Sequence, residues 1–400
     1  VARRKQRWRA VSPPKGSLAT RAYFLNFSWP RFLRGLLLST ALSYFINQAS
    51  YGTIDQKEIA MLDDPNYIAQ YDHSNGLAMV AGQAEQLRQQ FEFDVPQIND
   101  LHEVVLTGMG GSDLAAEFVR SWLGDKLPVP FEIVRGYELP AYVDEHSLVI
   151  ISSYSGNTEE ELACLEQAQQ TKAVIAIMTS GGKLAERAKD HAYLQIPTGL
   201  QPRLAVLYGV KALATLLEEL NLAEGLTEEL ETHSEWLLDE VSHFASNIPE
   251  SDNVAKQIAK RLVGHAVVVY GGPLLATAAM KWKIDINENA KNVAFWNALP
   301  EFDHNEFQGW LNPKHSGLQV IELTASLDNE RIKKRFQVSN RLLSGIMPAP
   351  IIVEAHGETK LQQMLWTLLL GDFVSVYLAF LNQVDPIPVE LVEKLKSELG

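Results

Sequence analysis

The chain is constrained most by a repeated joint, in which a short β-branched run stops at paired glycines and resumes as a helix. HEVVLT (102–107) ends at Gly108-Met109-Gly110-Gly111-Ser112, and Leu114–Leu123 continues with apolar residues at helical spacing. About 160 residues later AVVVY (266–270) ends at Gly271-Gly272-Pro273 before a helical stretch over Leu274–Lys283. Between them SLVIIS (147–152) runs into Tyr154-Ser155-Gly156-Asn157-Thr158 and a helix over Glu159–Gln170. AVIAIM (173–178) runs into Thr179-Ser180-Gly181-Gly182 and a helix over Lys183–Lys189. Phe131–Val134, Leu318–Leu323 and Pro350–Glu354 read as further strands, and Arg203–Leu220, Asn329–Leu343 and Lys360–Leu381 as helices. Wholly apolar strands alternating with helices require parallel sheets covered on both faces. The two glycine openings predict an α/β fold built from two copies of one unit.

Charge marks where that fold begins. Residues 1–60 hold ten basic side chains against Asp55 and Glu58, whereas the remainder holds 25 basic and 47 acidic residues. The leader is therefore expected to lie outside the core. It reads either as an extension ahead of Met61 or as a targeting segment, with Arg31 and Arg34, the apolar run Gly35–Ile46 and small residues at Ala49–Ser50. The expected organisation is a first unit over 61–225, a helical connection over 226–255 and a second unit over 256–400. A net charge of −14 argues against non-specific nucleic-acid binding. The single Cys164 excludes an internal disulfide framework and a Cys-rich zinc module. No run of about 20 uninterrupted apolar residues marks a membrane span.

In parallel α/β sheets ligands gather beyond the carboxyl ends of the strands. Gly110, Gly111 and Ser112 offer backbone N–H groups at a helix start, and Ser153, Ser155 and Thr158 surround Gly156 with hydroxyls before another. Helix capping explains either loop alone; two on one sheet edge form a cradle for a phosphate monoester. Glu288 and His304, sixteen residues apart in polar segments read as irregular, suit proton transfer near neutral pH. The same pair also reads as a surface acid and a capping imidazole. His304 and His315 lack a third ligand at zinc-like spacing, so no metal is expected.

GMGGS (108–112), SYSGNTEEEL (153–162), TSGGKL (179–184), PTGLQPR (197–203), NENAKNVAFWNALPEFDHNEFQGW (287–310) and DPIPVELVEKLKSEL (385–399) occur in order. Together they resemble the bifunctional phosphoglucose/phosphomannose isomerase family, over a span from about Met61 to the carboxyl terminus. The resemblance implies two αβα-sandwich subdomains of sugar-isomerase (SIS) type in a cytoplasmic homodimer. It also implies conversion of glucose 6-phosphate and mannose 6-phosphate to fructose 6-phosphate without cofactor or metal, and no nucleic-acid or membrane partner. On that likeness Ser153, Ser155 and Thr158 bind phosphate, Gly110, Gly111 and Ser112 line the pocket, and Arg203 lies near the reacting carbons. Glu288 is then the base, His304 comes from the neighbouring subunit, and Lys396, or else Lys394, assists. The likeness departs at Asp113-Leu114-Ala115-Ala116, where an acid beside the turn is expected to weaken phosphate affinity. Another SIS-domain sugar-phosphate isomerase would keep the phosphate loops without needing Glu288 and His304 together. A non-catalytic sugar-phosphate sensor would usually add a DNA-binding helix-turn-helix, and none is evident before residue 90.

Overall fold

The computed structural model of the chain describes residues 61–312 and 317–399, so the expectations for the leader and for His315 lie outside the described residues. A first sheet contains β1 (Glu103–Gly108), β2 (Phe131–Val134), β3 (Ser147–Ser152), β4 (Val174–Thr179) and β5 (Ala192–Gln195), in the order β2-β1-β3-β4-β5. A second contains β6 (Ala266–Gly271), β7 (Ala294–Ala298), β8 (Leu318–Thr324) and β9 (Ile351–Glu354), in the order β7-β6-β8-β9. Every pairing is parallel. The second sheet repeats the order of the first four strands of the other.

Alternation within the apolar runs explains why both faces are covered. Val104 and Leu106 join Leu148 and Ile150 in one core, whereas Val105 joins Val149 and Ile151 in another. The longer helices are α1 (Gly111–Leu123), α2 (Glu159–Ala168), α3 (Val206–Glu219), α4 (Leu226–Ser242), α5 (Val254–Leu262), α6 (Ala276–Glu288), α7 (Glu330–Leu343), α8 (Lys360–Leu381) and α9 (Glu390–Leu399). α1, α3, α6 and α8 contribute to one continuous core shared by both sheets. α2 covers the outer face of the first sheet through Cys164 and Leu165, and α7 that of the second through Ile332 and Phe336.

α8 is long and apolar enough by length and composition to cross a membrane, yet it is buried inside the molecule. Its Gly371 lets Trp282 approach: a Cβ there would stand 2.4 Å from the indole, whose N–H donates to the Thr367 carbonyl at 2.8 Å. Truncating so enclosed a tryptophan costs about 3–5 kcal/mol.

The start of α6 meets the end of α1. The Ser121 and Thr277 hydroxyls are 3.0 Å apart, and Thr277 donates to the Glu117 carbonyl at 3.1 Å. Arg203 links the other two ends, packing on Gly111 at the start of α1 and bonding Glu288 at the end of α6, so the helices run in opposite directions and the carboxyl edge of the first sheet comes beside the amino edge of the second. That placement creates the site.

Candidate functional site

Three loops leave the carboxyl edge of the first sheet and interlock. Gly110 has φ +58°, and no described atom lies within 4 Å of where its Cβ would stand. Ser112 ties this loop to the next: the Tyr154 N–H donates to its Oγ at 3.0 Å, and Ser152 Oγ donates to its carbonyl at 3.1 Å. In the second loop the Ser153 and Thr158 hydroxyls are 2.7 Å apart, the Gly156 N–H donates to Ser153 Oγ, and Ser155 is exposed. Gly156 has φ +67°, and a Cβ there would stand 1.8 Å from the Gly181 carbonyl oxygen. The third loop is therefore a brace for the second, and only glycine fits their crossing.

Asp113 does not face the cradle. It is buried and ion-paired with Arg135, whose other nitrogen holds Glu117 at 2.5 Å. Burial pushes its carboxyl up, and Arg135 opposes that. The acid beside the turn is thus answered from behind.

Gly111 packs against the segment that carries Arg203: a Cβ on it would stand 2.6 Å from the Arg203 nitrogen. Arg203 is 1% exposed. Its Nε donates to Asn289 Oδ1 at 2.6 Å, its Nη1 to Glu288 Oε2 at 2.8 Å, and its Nη2 to the Pro386 and Ile387 carbonyls at 3.1 and 2.9 Å. Two neutral carbonyls, an amide and a carboxylate fix the guanidinium in one orientation. Glu288 keeps 32% of its side chain exposed and so remains open to a ligand.

The irregular setting expected for Glu288 and His304 is corrected on one count. Glu288 is the last residue of α6, and β7 follows it. Glu288 precedes β7 and His304 follows it, so the two stand at opposite edges of the second sheet. His304 is exposed, and its side chain forms no hydrogen bond or ion pair with a described residue. The same holds for Lys394 and Lys396 on α9, a helix with no buried residue. One chain thus joins the cradle, Arg203 and Glu288, and holds His304 apart.

Sequence reading missed Asn289 and Lys291. Lys291 has φ +51°, an uncommon conformation for a side chain of its kind, and donates to the carbonyls of Asn289, Asp385 and Pro386 at 3.2, 2.7 and 3.0 Å. Burial and the neighbouring Arg203 push its ammonium down to about 8. It staples the carboxyl-terminal segment to the Arg203 pocket. Its signal was the ENAK string, in which only the glutamate had been given a role.

Among the described residues, Asp100, His102 and His146 form a group that could hold a metal, with their ligand atoms within 4.8 Å of one another. They lie at the entrances of β1 and β3, the edge opposite the cradle.

Fold and loops define a SIS-domain protein. The SIS domain matches residues 97–217, and the bacterial phospho-glucose isomerase C-terminal SIS domain matches residues 251–399. A bifunctional phosphoglucose/phosphomannose isomerase of Caldicellulosiruptor bescii is 37% identical over 75% of this chain and 90% of its own length. Another, of Aquifex aeolicus, is 35% identical over 78% of this chain and 95% of its own. The crystal structure of a glucose-6-phosphate isomerase like protein from Thermus thermophilus superposes with a TM-score of 0.57 at 19% identity, covering 84% of this chain and 98% of that one, and supports the fold alone. The chain belongs to the bifunctional phosphoglucose/phosphomannose isomerase family.

Proposed function

We propose that the protein is a cytoplasmic isomerase that interconverts glucose 6-phosphate, and mannose 6-phosphate, with fructose 6-phosphate through a cis-enediolate. The observation that carries this reading is the contact chain in which Gly111 packs on the Arg203 backbone and the buried Arg203 guanidinium bonds the part-open Glu288 carboxylate. Named relatives at 35–37% identity support the substrate pair.

In this reading the phosphate is held by Ser153, Ser155 and Thr158, with Gly110, Gly111 and Ser112 forming the wall. Binding energy spent there orients the distant carbons. The Glu288 carboxylate takes the proton from C2, and the electron pair moves into a C1–C2 double bond. Arg203 stabilises the negative oxygen that results, in an orientation fixed before reaction. Glu288 then returns the proton to C1 as the C2 carbonyl forms, and the proton of the C2 hydroxyl passes to O1. On the family resemblance we assign no metal or cofactor a step.

The substrate is mostly cyclic and must open first. We assign that step to His304 of a second copy, assisted by Lys396, because β7 holds a chain's own His304 away from its Glu288. A second copy is also favoured by the edge strand β7, where Phe295 is 57% and Trp296 38% exposed and Val293 beside them is open too. An unpaired edge bearing aromatic side chains is a surface that pairs.

A coupled assay with glucose 6-phosphate and mannose 6-phosphate, run with and without chelator, tests the reading. Turnover of both, indifferent to chelator, is expected; turnover of neither overturns it. Mixing Glu288→Gln and His304→Ala protomers tests the shared site. Recovery of activity towards one quarter of wild type is the expected outcome for random re-pairing, and no recovery returns His304 to its own chain.

A further inference from the structure

His304 makes no side-chain bond to a described residue, yet every other polar side chain of residues 301–306 is bonded within the chain. Glu301 Oε1 accepts from Asn305 Nδ2 at 2.5 Å, and Asn305 Oδ1 accepts the Glu306 N–H at 2.6 Å. Asp303 bonds α7 twice: Arg335 Nη1 lies 2.7 Å from its Oδ2, and Ser339 Oγ donates to its Oδ1 at 3.0 Å. Glu306 bonds two strands at the carboxyl edge of the second sheet. Its Oε1 accepts from the Tyr270 hydroxyl of β6 at 2.5 Å, and its Oε2 from Asn297 Nδ2 of β7 at 2.7 Å. Trp310 Nε1 donates to the same Tyr270 hydroxyl at 3.2 Å, and the Tyr270 ring centre lies 4.4 Å from that of Phe302.

Two kinds of anchor therefore hold one free imidazole. Burial of Phe302 and Trp310 seats the segment on the sheet, but apolar burial has no direction and would tolerate a turn rotated in place. Hydrogen bonds do have direction. Asp303, one residue before His304, and Glu306, two residues after it, fix the backbone on both sides. Asn297 adds a further link, because β7 also carries the exposed Phe295 and Trp296. The edge assigned to a second copy and the turn that carries His304 are thus bonded to each other through Glu306.

We propose that Glu306 is a positioning residue which, through Tyr270 and Asn297, holds the His304 turn so that its imidazole is presented to the sugar ring bound by a neighbouring copy. This rests on the reading in which His304 opens the ring in a shared site, and it adds what keeps the imidazole in place. Glu306 touches no reacting atom and acts only through the turn.

Glu306→Ala frees the turn from both strands, and kcat is expected to fall about 10²-fold, the loss that roughly 1 Å of misplacement brings, with KM changed by less than about threefold. Glu306→Gln keeps an acceptor for one partner and should fall in between. Mixed protomers separate positioning of His304 from damage to a chain's own Glu288. Glu306→Ala with Glu288→Gln is expected to recover towards one quarter of wild-type activity, because one site of each hybrid joins a sound Glu288 to a held His304. Glu306→Ala with His304→Ala should recover nothing, because no hybrid site has a held imidazole. Recovery in the second mixture and not the first overturns the proposal. NMR of protein labelled with 15N-histidine, with the His304 amide assigned by His304→Ala, reads the turn without turnover. Its heteronuclear NOE should fall in Glu306→Ala. Tyr270→Phe, which keeps the ring against Phe302 and removes one bond, replaces Glu306→Ala in this measurement should that variant fail to fold, as judged by thermal melting. An unchanged NOE overturns the proposal. If Glu288→Gln and His304→Ala protomers recover nothing together, the shared-site reading falls alone, because the NOE still decides whether Glu306 holds the turn.

Discussion

After β1 the chain turns through Gly110 and Gly111 into α1, with open space above Gly110. After β6 it turns through Gly271 and Gly272 towards α6, and there the corresponding space is filled. A Cβ on Gly272 would stand 2.0 Å from Asp328 Oδ2, and Asp328 Oδ1 accepts the Leu274 N–H at 3.2 Å. The first turn offers helix-start donors to a ligand; the second has a carboxylate of the chain where an anion would go. Two copies of one unit thus divide the work. The first turn is open, which the proposed reading uses for phosphate, whereas the second turn is closed and the far edge of its unit carries Glu288 and Asn289.

The largest effect expected from breaking this division is at the far edge of the second unit. Glu288→Gln keeps the bond to Arg203 but cannot accept a proton, so kcat should fall by about 10³-fold while inorganic phosphate still binds. Steady-state kinetics and a phosphate titration check both halves. Preserved turnover would put the base elsewhere.

The glycine turns of the first sheet were legible in the sequence and the far edge of the second only partly so, for a physical reason. Turns are local: Gly110–Gly111, Ser153–Thr158 and Gly181–Gly182 are dictated by neighbours within a few residues, and strand and loop positions followed from that. Arg203 with Glu288 and Asn289 is a contact across about 85 residues, and spacing cannot reveal it. Two of the sheet edges behave likewise. β5 and β7, which the apolar runs did not announce, are four- and five-residue strands at sheet edges. β7 reads AFWNA with two aromatic residues exposed, so it lacks the unbroken burial that identified β1, β3 and β4. Resemblance to a family suggested roles for Arg203, Glu288 and His304, whereas the bonds of Asn289 and Lys291 are visible only in the folded chain.

Within the cradle, Gly156→Ala should rank next. The substituted Cβ meets the Gly181 carbonyl and demands a left-handed backbone, so the second and third loops must separate. KM for the sugar phosphate is expected to rise at least tenfold, with kcat less affected. Thr158→Ala and Ser155→Ala remove single hydroxyls and should raise KM about three- to tenfold each, in line with about 1 kcal/mol per hydrogen bond. Equal kcat losses instead would mean that these groups act on the reacting carbons.

Glu161, one turn into α2 behind the cradle, gives the comparison a pH dependence. It is 1% exposed, and burial pushes its carboxyl up to about 7. The folded protein then binds a proton there that the unfolded chain releases near 4.5, the ordinary value. Its contribution is present in full below that value and is lost as pH rises to about 7. Glu161→Gln should therefore melt progressively higher than wild type as pH is raised from 5 to 8, by roughly 2–3 kcal/mol at the upper end. A difference independent of pH would mean that Glu161 is ionised throughout.

The smallest effect is expected at Asp328, and it tests the closed turn. Its carboxyl is buried and raised by that burial, with the Leu274 N–H and Lys333 opposing the shift. Asp328→Ala removes an acceptor from the start of the helix and clears the space above Gly272. Capping losses of this kind cost about 1 kcal/mol. Because Asp328 lies on the opposite edge of the second sheet from Glu288, kcat and KM should stay at wild-type values. The exposed donors of Leu274 and its neighbours should instead take up an external anion, seen as stabilisation by millimolar sulfate in the variant and not in wild type. If sulfate stabilises both alike, Asp328 is an ordinary cap and the second turn never had the geometry of the first. If it stabilises only the variant, the repeated joint is an anion site in both units, and a single aspartate decides which unit is left free for substrate.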